Sequence, residues 1–380
     1  MNSKKRQFAF SLIICIALAT YSMTGSAPSL AASAPTYRTV TDMAGRQVRL
    51  KGNIKRIVLL RGRDVYEVSA LIGGQIPTEV VGWGSEIQKS DNDAYDAYCR
   101  RYPSLKRIPL ISDGNGADAS CAEQLVTLKP DLVIADIFMI KRGYASVATF
   151  EKMGLPLFFV DESSDPLVSP QQSLLALGNA LGETGRAEQI VGYVNKRYQQ
   201  INNRIAKLSG PEPSIYLESG STGFRTYGNA YNSSYSLGKL LAHVRVSNIS
   251  ANMPASMVSV SPEFVLKSNP DIIVVTGANW QMPGAIHLGY SANAADVQAS
   301  LAAYAQRPGW QTLKAARSKR MYTFFQGFSM HIFAYIAYEE LAKAAYPNNF
   351  RDIDPEADFK KFHQLFLPVS YSGAWTAQIK

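Results

Sequence analysis

The sequence predicts an α/β protein of two similar halves, each carrying a parallel sheet, joined by one long helix. Three observations carry that prediction. Short apolar, β-branched runs alternate with helical patterns in both halves, the order that a helix-covered parallel sheet requires. Between the halves, residues 171–208 show no strand pattern, only apolar residues at helical spacing. A segment beginning at Glu123 also repeats without a gap from Glu263.

Taken in order, the chain opens with Lys4, Lys5 and Arg6, an apolar stretch over residues 8–19, and small residues ending at Ala34. Residues 1–34 read as an export signal cut after Ala31 or Ser33, because Pro35 disfavours a cut after Ala34. An uncleaved anchor helix is the alternative. Cys15 lies early in the apolar stretch and follows the bulky Ile13 and Ile14, which argues against a lipid-modified cysteine. The expected location is therefore a Gram-negative periplasm, in soluble form.

Residues 35–168 read as an N-terminal α/β lobe. Strands are expected at 56–60, 79–82, 131–135 and 157–160, with helices at 64–72 and 145–153. Residues 169–210 read as the connecting helical segment: Leu174, Leu177 and Leu181 mark a shorter helix, and Ile190, Val194, Tyr198, Ile201 and Ile205 a longer one. Such a helix is a stiff connector. Residues 211–380 repeat the logic, with strands at 214–218, 271–275 and 320–325 and helices at 234–242, 262–268 and 333–345. In the repeat, Glu123 and Glu263 each open a short amphipathic helix that Pro130-Asp131 or Pro270-Asp271 stops before a buried strand. A carboxylate in a first turn suits the helix dipole, so each Glu caps its helix or serves a role shared between lobes.

Composition narrows the function. With 46% hydrophobic and 18% charged residues among 380, the chain is neither disordered nor a polytopic membrane protein. The signal carries three positive charges and no negative ones, so its removal lowers the net charge from +9 to +6. The basic residues are scattered, which speaks against a nucleic-acid partner and fits an anionic small ligand. After the signal two cysteines remain, Cys99 and Cys121, and an oxidising compartment predicts a disulfide between them worth roughly 3 kcal/mol by loop entropy.

Enzyme signatures are weak. GxSxG, HExxH, P-loop and strand-anchored GxGxxG patterns are missing. Ser236-Leu-Gly-Lys239 and Ser90-Asp91-Asn92 match SxxK and SDN, but in reversed order and without KTG. The dispersed His243, His287, His331 and His363 leave little for a bare metal site. Arginines and aromatics instead collect at the expected C-terminal ends of strands, where open α/β sheets bind ligands. These are Arg61, Arg63 and Tyr66; Trp83; Arg142 and Tyr144; Arg225, Tyr227 and Tyr231; Trp280; and Phe328, Met330 and His331. Guanidinium forks bind carboxylates, catecholates or phosphates, and rings cover flat ligand surfaces.

Thr41-Asp42-Met-Ala-Gly45-Arg46, followed by Ile54-Lys-Arg-Ile57-Val58, resembles the opening of class III periplasmic substrate-binding proteins. The two Glu-to-Pro-Asp segments, Arg307-Pro-Gly-Trp310 with Leu313-Lys-Ala-Ala316 and Tyr322, and residues 337–347 continue the resemblance over nearly all the mature chain. Members serve ABC importers of ferric siderophores, cobalamin and haem. The resemblance implies two Rossmann-like lobes with parallel sheets, joined by a single long α-helix, with the ligand in the cleft between them. It implies that Glu123 and Glu263 dock on an ABC permease that works with a separate ATPase. It also implies a monomer that is not an enzyme and holds no permanent cofactor.

The expected cargo is a metal chelate, foremost an anionic ferric siderophore; cobalamin, haem or a nickel chelate would keep the same role. A periplasmic enzyme or sensor domain on the same fold is the further alternative. Some members complete an iron shell with His or Tyr, which makes His331 the candidate for a direct metal contact. Residues 224–240 and the tail at 366–375 exceed the common pattern, and the sequence offers no physical account of the tail.

Overall fold

A computed structural model describes residues 36–111, 121–234 and 236–380; the expected signal segment lies outside the described residues. The chain starts with an antiparallel hairpin, β1 (Tyr37–Thr41) and β2 (Gln47–Lys51). The first half then builds a five-stranded sheet from β3 (Ile57–Leu59), β4 (Val80–Gly84), β5 (Leu110–Ile111), β6 (Leu132–Asp136) and β7 (Leu157–Val160). Its spatial order is β5-β4-β3-β6-β7, parallel throughout. The continuous apolar runs follow from burial on both faces: Leu132, Ile134 and Phe158 enter one hydrophobic cluster, while Val133, Ala135, Leu157 and Phe159 enter another.

The second half forms a seven-stranded sheet from β8 (Ser214–Ser219), β9 (Asn229–Tyr231), β10 (Ser247–Asn248), β11 (Met257–Ser259), β12 (Ile272–Thr276), β13 (Met321–Phe324) and β14 (Thr376–Gln378). Its centre, β8-β12-β13, is parallel, as is the β10 pairing with β8. Its margins differ from an all-parallel expectation: β9, β11 and β14 pair antiparallel. The tail that the sequence left unexplained leads into the edge strand β14, and its last residue, Trp375, is buried against Phe325, Phe359 and Tyr290.

Two helices, Ser169–Leu181 and Thr184–Ile205, run between the halves, separated at Gly182, which takes the left-handed conformation of a helix C-cap (φ 81°). The longer helix buries Ile190, Val194, Tyr198, Ile201 and Ile205 on one stripe. Its polar side pairs Arg197 with Asp358 at 2.6 Å and Arg204 with Asp352 at 2.6 Å, both beside or on the late helix Pro355–Phe366.

The internal repeat is structural as well as textual. Helices Ala122–Thr127 and Pro262–Ser268 end in residues with positive φ at aligned positions, Lys129 (46°) and Asn269 (40°). The aspartates that follow do the same work in each half. Asp131 accepts the Lys55 amide at 3.0 Å, and Asp271 accepts the Ser214 amide at 2.9 Å, each fixing the entry to a neighbouring strand.

No disulfide joins Cys99 to Cys121 among the described residues. The physical reason is their placement: Cys99 packs in the cluster on one side of the first sheet, and Cys121 in the cluster on the other. Burial raises the Cys99 thiol pKa, which makes it less reactive still.

Candidate functional site

A cavity of about 260 Å³ opens where strand ends of the two sheets face each other. The first half contributes Arg63 after β3, and Lys89 and Ser90 after β4; the second contributes Ala278 and Trp280 after β12, and Phe325, Gln326, Gly327 and Met330 after β13. This is the crevice outside the carboxyl ends of strands, where open α/β sheets bind ligands.

Local chemistry sets the cationic wall. The turn after β3 passes so close to the Gly84 carbonyl that a Cβ at Gly62 would collide with it, hence glycine there. The buried Glu86 carboxylate accepts the Gly62 amide at 2.8 Å and the Arg63 amide at 3.3 Å, and lies 3.7 Å from the Arg63 guanidinium. Arg63 also donates to the Met330 sulfur at 3.6 Å, a contact that crosses from one half to the other. On the opposite wall the Gln326 carbonyl oxygen accepts the Ser219 and Thr276 hydroxyls at 3.4 Å each, which fixes the amide at the cavity edge.

Of the ligand candidates drawn from sequence, Arg63, Trp280 and Met330 come together in this cavity. The others are placed elsewhere, for identifiable reasons. Arg61 is buried against Asp64 and Asp136. Burial opposes its charge, but Asp64, Asp136 and Glu162 outweigh that cost and leave its pKa raised. Tyr66 is buried and donates to Asp91 at 2.9 Å. Trp83 is buried and donates to the Gly62 carbonyl at 2.8 Å, because β4 runs on to Gly84 and takes Trp83 into the sheet.

Arg142 is exposed, its guanidinium 4.7 Å from the Phe138 ring, with Tyr144 against the same ring. Arg225 is exposed beside Phe224. Tyr227 accepts the Trp310 indole N–H at 2.7 Å and stacks on Arg307. Tyr231 is buried near the Thr276 hydroxyl, and Phe328 sits in the aromatic core with Phe325, Phe359 and Trp375.

His331 lies outside the cavity lining, buried, with Nδ1 donating to Glu67 at 3.0 Å. Burial lowers its pKa despite Glu67, so it is neutral, and its Nε2 has no hydrogen-bond partner among the described residues. Among the described residues no group of three or more His, Cys, Asp or Glu is arranged to hold a metal ion. The SxxK and SDN matches do not form a nucleophilic pair: Ser236 donates to the Ser329 carbonyl at 2.7 Å, Lys239 to the Ser164 carbonyl, and Asp91 caps the helix Asn92–Arg101.

Sequence reasoning missed Lys89, Ser90, Ala278, Phe325, Gln326 and Gly327. The available signal was strand length. Moving the end of β4 to Gly84 brings the short helix Ile87–Ser90, with Lys89 and Ser90, to the cleft, and ending β13 at Phe324 frees Phe325 to line it.

Glu123 and Glu263 both sit in the first turns of the repeated helices and are exposed. Ser261 caps the second helix by accepting the Phe264 amide at 3.2 Å. The Glu263 carboxyl is held below its usual pKa by local backbone and Ser261 hydrogen bonds, so it is charged.

The model of the periplasmic binding protein family matches residues 81–325. The chain belongs to that family. Among solved structures it is similar to the TroA-like periplasmic binding protein FepB of Veillonella parvula, at 32% identity and TM-score 0.84 over 90% of this chain and 99% of that one. Among curated proteins it is 23% identical to the uncharacterized ABC transporter substrate-binding lipoprotein YvrC of Bacillus subtilis, over 83% of this chain and 87% of YvrC. It is also 23% identical to the molybdate-binding protein MolA of Haemophilus influenzae, over 90% of this chain and 94% of MolA. The family and these relatives are solute-binding proteins of transporters. No helix among the described residues is long and apolar enough to cross a membrane.

Proposed function

We propose that this binding protein carries a compact anionic metal chelate, foremost a ferric one, to an ABC permease across a Gram-negative periplasm, and that it performs no turnover of its own. The observation that carries the reading is the composition of the cavity. Arg63 and Lys89 supply positive charge, Ser90 and Gln326 supply polar groups, and Trp280, Phe325 and Met330 supply an apolar wall. A volume of about 260 Å³ falls just below the range typical of drug-sized ligands, which favours a small chelate over a bulky macrocycle. A bare oxyanion is the second reading, favoured by that volume and by the likeness to MolA. The apolar wall argues for the chelate, because an oxyanion needs donors on every side whereas organic ligand arms bury carbon against rings.

Glu123 and Glu263 would dock the loaded protein on permease arginines, setting orientation and association rate more than affinity. The test is fluorescence titration of the mature protein with ferric citrate, ferric catecholate, ferric hydroxamate, molybdate, haem, cobalamin and nickel–histidine. Saturable quenching by a ferric chelate is expected, weakened about tenfold or more by Arg63→Ala through loss of a charge-assisted contact. Arg142→Ala and Arg225→Ala, outside the cavity, are expected to leave it unchanged. Response to molybdate alone would replace the chelate reading with the oxyanion. Silence toward every iron compound, with a response to haem, cobalamin or nickel–histidine, would overturn the ferric assignment. Glu123→Arg with Glu263→Arg is expected to abolish uptake while leaving binding intact.

A further inference from the structure

Beside the cavity, one buried carboxylate of the first half accepts side-chain and backbone hydrogen bonds, among the described residues, from the second half. Asp93, in the first turn of helix Asn92–Arg101, accepts the Asn279 side-chain amide at 2.7 Å, the His287 ring at 3.0 Å, the Ser291 backbone amide at 2.9 Å and the Ser291 hydroxyl at 2.7 Å. Asn279 lies between Ala278 and Trp280, both on the cavity wall, and Asp93 opens the helix that follows the short one holding Lys89 and Ser90 on the facing wall. The site is shaped for the carboxylate: Gly289 has φ 140°, and a Cβ there would sit 2.7 Å from the Asp93 oxygen. Desolvation opposes the charge of Asp93, yet the bonds from His287 and Ser291 prevail and leave its pKa lowered.

The segment that grips Asp93 is itself backed by the C-terminal tail. Gly289 and Ala374 exchange backbone hydrogen bonds at 2.9 and 3.3 Å, the Ser372 hydroxyl donates to the Tyr290 carbonyl at 2.9 Å, and the Tyr290 and Trp375 rings meet edge to face at 4.9 Å. Gly373, at φ 79°, is required there, since a Cβ would collide with the Gly289 carbonyl.

We infer that residues 279–291, braced by residues 371–375, form a strap that clasps Asp93 and holds the cavity closed, so that solute enters and leaves when this carboxylate is released. Asp93 is a positioning residue: it lines no part of the cavity and acts through Asn279, His287 and Ser291. The inference goes beyond the proposed cargo and does not depend on which solute binds, so it is tested without one.

Ala278, buried on the cavity wall, is replaced by cysteine in the full mature chain, and maleimide labelling is followed against the unsubstituted protein, whose Cys99 and Cys121 are buried. Loss of one hydrogen bond to a charged group in Ser291→Ala should speed labelling about tenfold, and Asp93→Ala about a hundredfold. Amide exchange at Ser291 should accelerate in step, with the unfolding midpoint of Ser291→Ala close to that of the parent. Gly373→Ala should speed labelling as well, by displacing the brace. Labelling at Ala278→Cys that is unchanged in folded Ser291→Ala and Gly373→Ala would overturn the strap. So would labelling that rises only in proportion to global unfolding measured in the same samples. Should Asp93→Ala fail to fold, Ser291→Ala decides.

Discussion

Among the described residues each half buries one guanidinium, and the two are treated very differently. In the second half Arg307 meets a single carboxylate, Glu218, in a two-pronged pair at 2.7 and 2.8 Å. Carbonyls of Phe224 and Thr226 take further N–H groups, and the rings of Tyr227, Tyr304 and Trp310 enclose the plane. Charge is balanced and the Arg307 donors are used. In the first half Arg61 faces Asp64 and Asp136, with the buried Glu67 and Glu162 close by. Here carboxylates outnumber the cation, and Asp64 Oδ2 and Glu162 Oε2 have no hydrogen-bond partner among the described residues. A matched pair serves as a rigid fixture, whereas an excess of buried acids must hold protons. Burial pushes the Asp64 pKa up to about 7 against the pull of Arg61, and raises that of Glu162 as well.

The comparison is most forcefully broken at Arg307. Arg307→Met strands Glu218 as a buried uncompensated charge and should cost about 3–5 kcal/mol in urea unfolding, while adding Glu218→Gln should recover part of the loss. The first half should respond to pH instead. The folded state binds the Asp64 proton more tightly than the unfolded chain, so its contribution is full below about pH 4 and fades as pH rises through about 7. His331 acts in the opposite sense, since burial lowers its pKa and charging it below about 6.5 costs stability. The difference between parent and Asp64→Asn isolates the acid. Parent stability should fall relative to the variant by up to roughly 1.4 kcal/mol per pH unit across that window, as read by denaturation at stepped pH. Parallel curves would show that Asp64 holds no excess proton. The smallest effect belongs to Tyr227→Phe, which leaves the Trp310 N–H without its acceptor and should cost about 1–2 kcal/mol with no pH dependence near neutrality.

The layout of both halves was legible because it rests on burial period and turn chemistry. The strand at residues 157–160 and the helix at 262–268 fall where the pattern puts them. The repeat revealed itself through Pro-Asp, whose aspartates turn out to fix strand entry in both halves. The cleft was legible only in outline. Rings and guanidinium groups near strand ends look alike in sequence whether they face ligand, core or solvent, and the choice between Arg61 and Arg63 depends on side-chain direction after a tight turn. The tail was opaque for another reason: β14 is three residues long, and its pairing partner β13 lies far upstream. Short edge strands carry too little periodicity to announce a distant partner.

That late strand has a consequence for how the chain matures. The second sheet's margin at β13, and the aromatic packing around Trp375, cannot form until residues beyond 374 are available. Contacts of such long sequence separation form late, because the loop between them must be closed before they repay its entropy. During synthesis the second half would therefore stay short of its final packing until Trp375 and the β14 residues 376–378 have emerged.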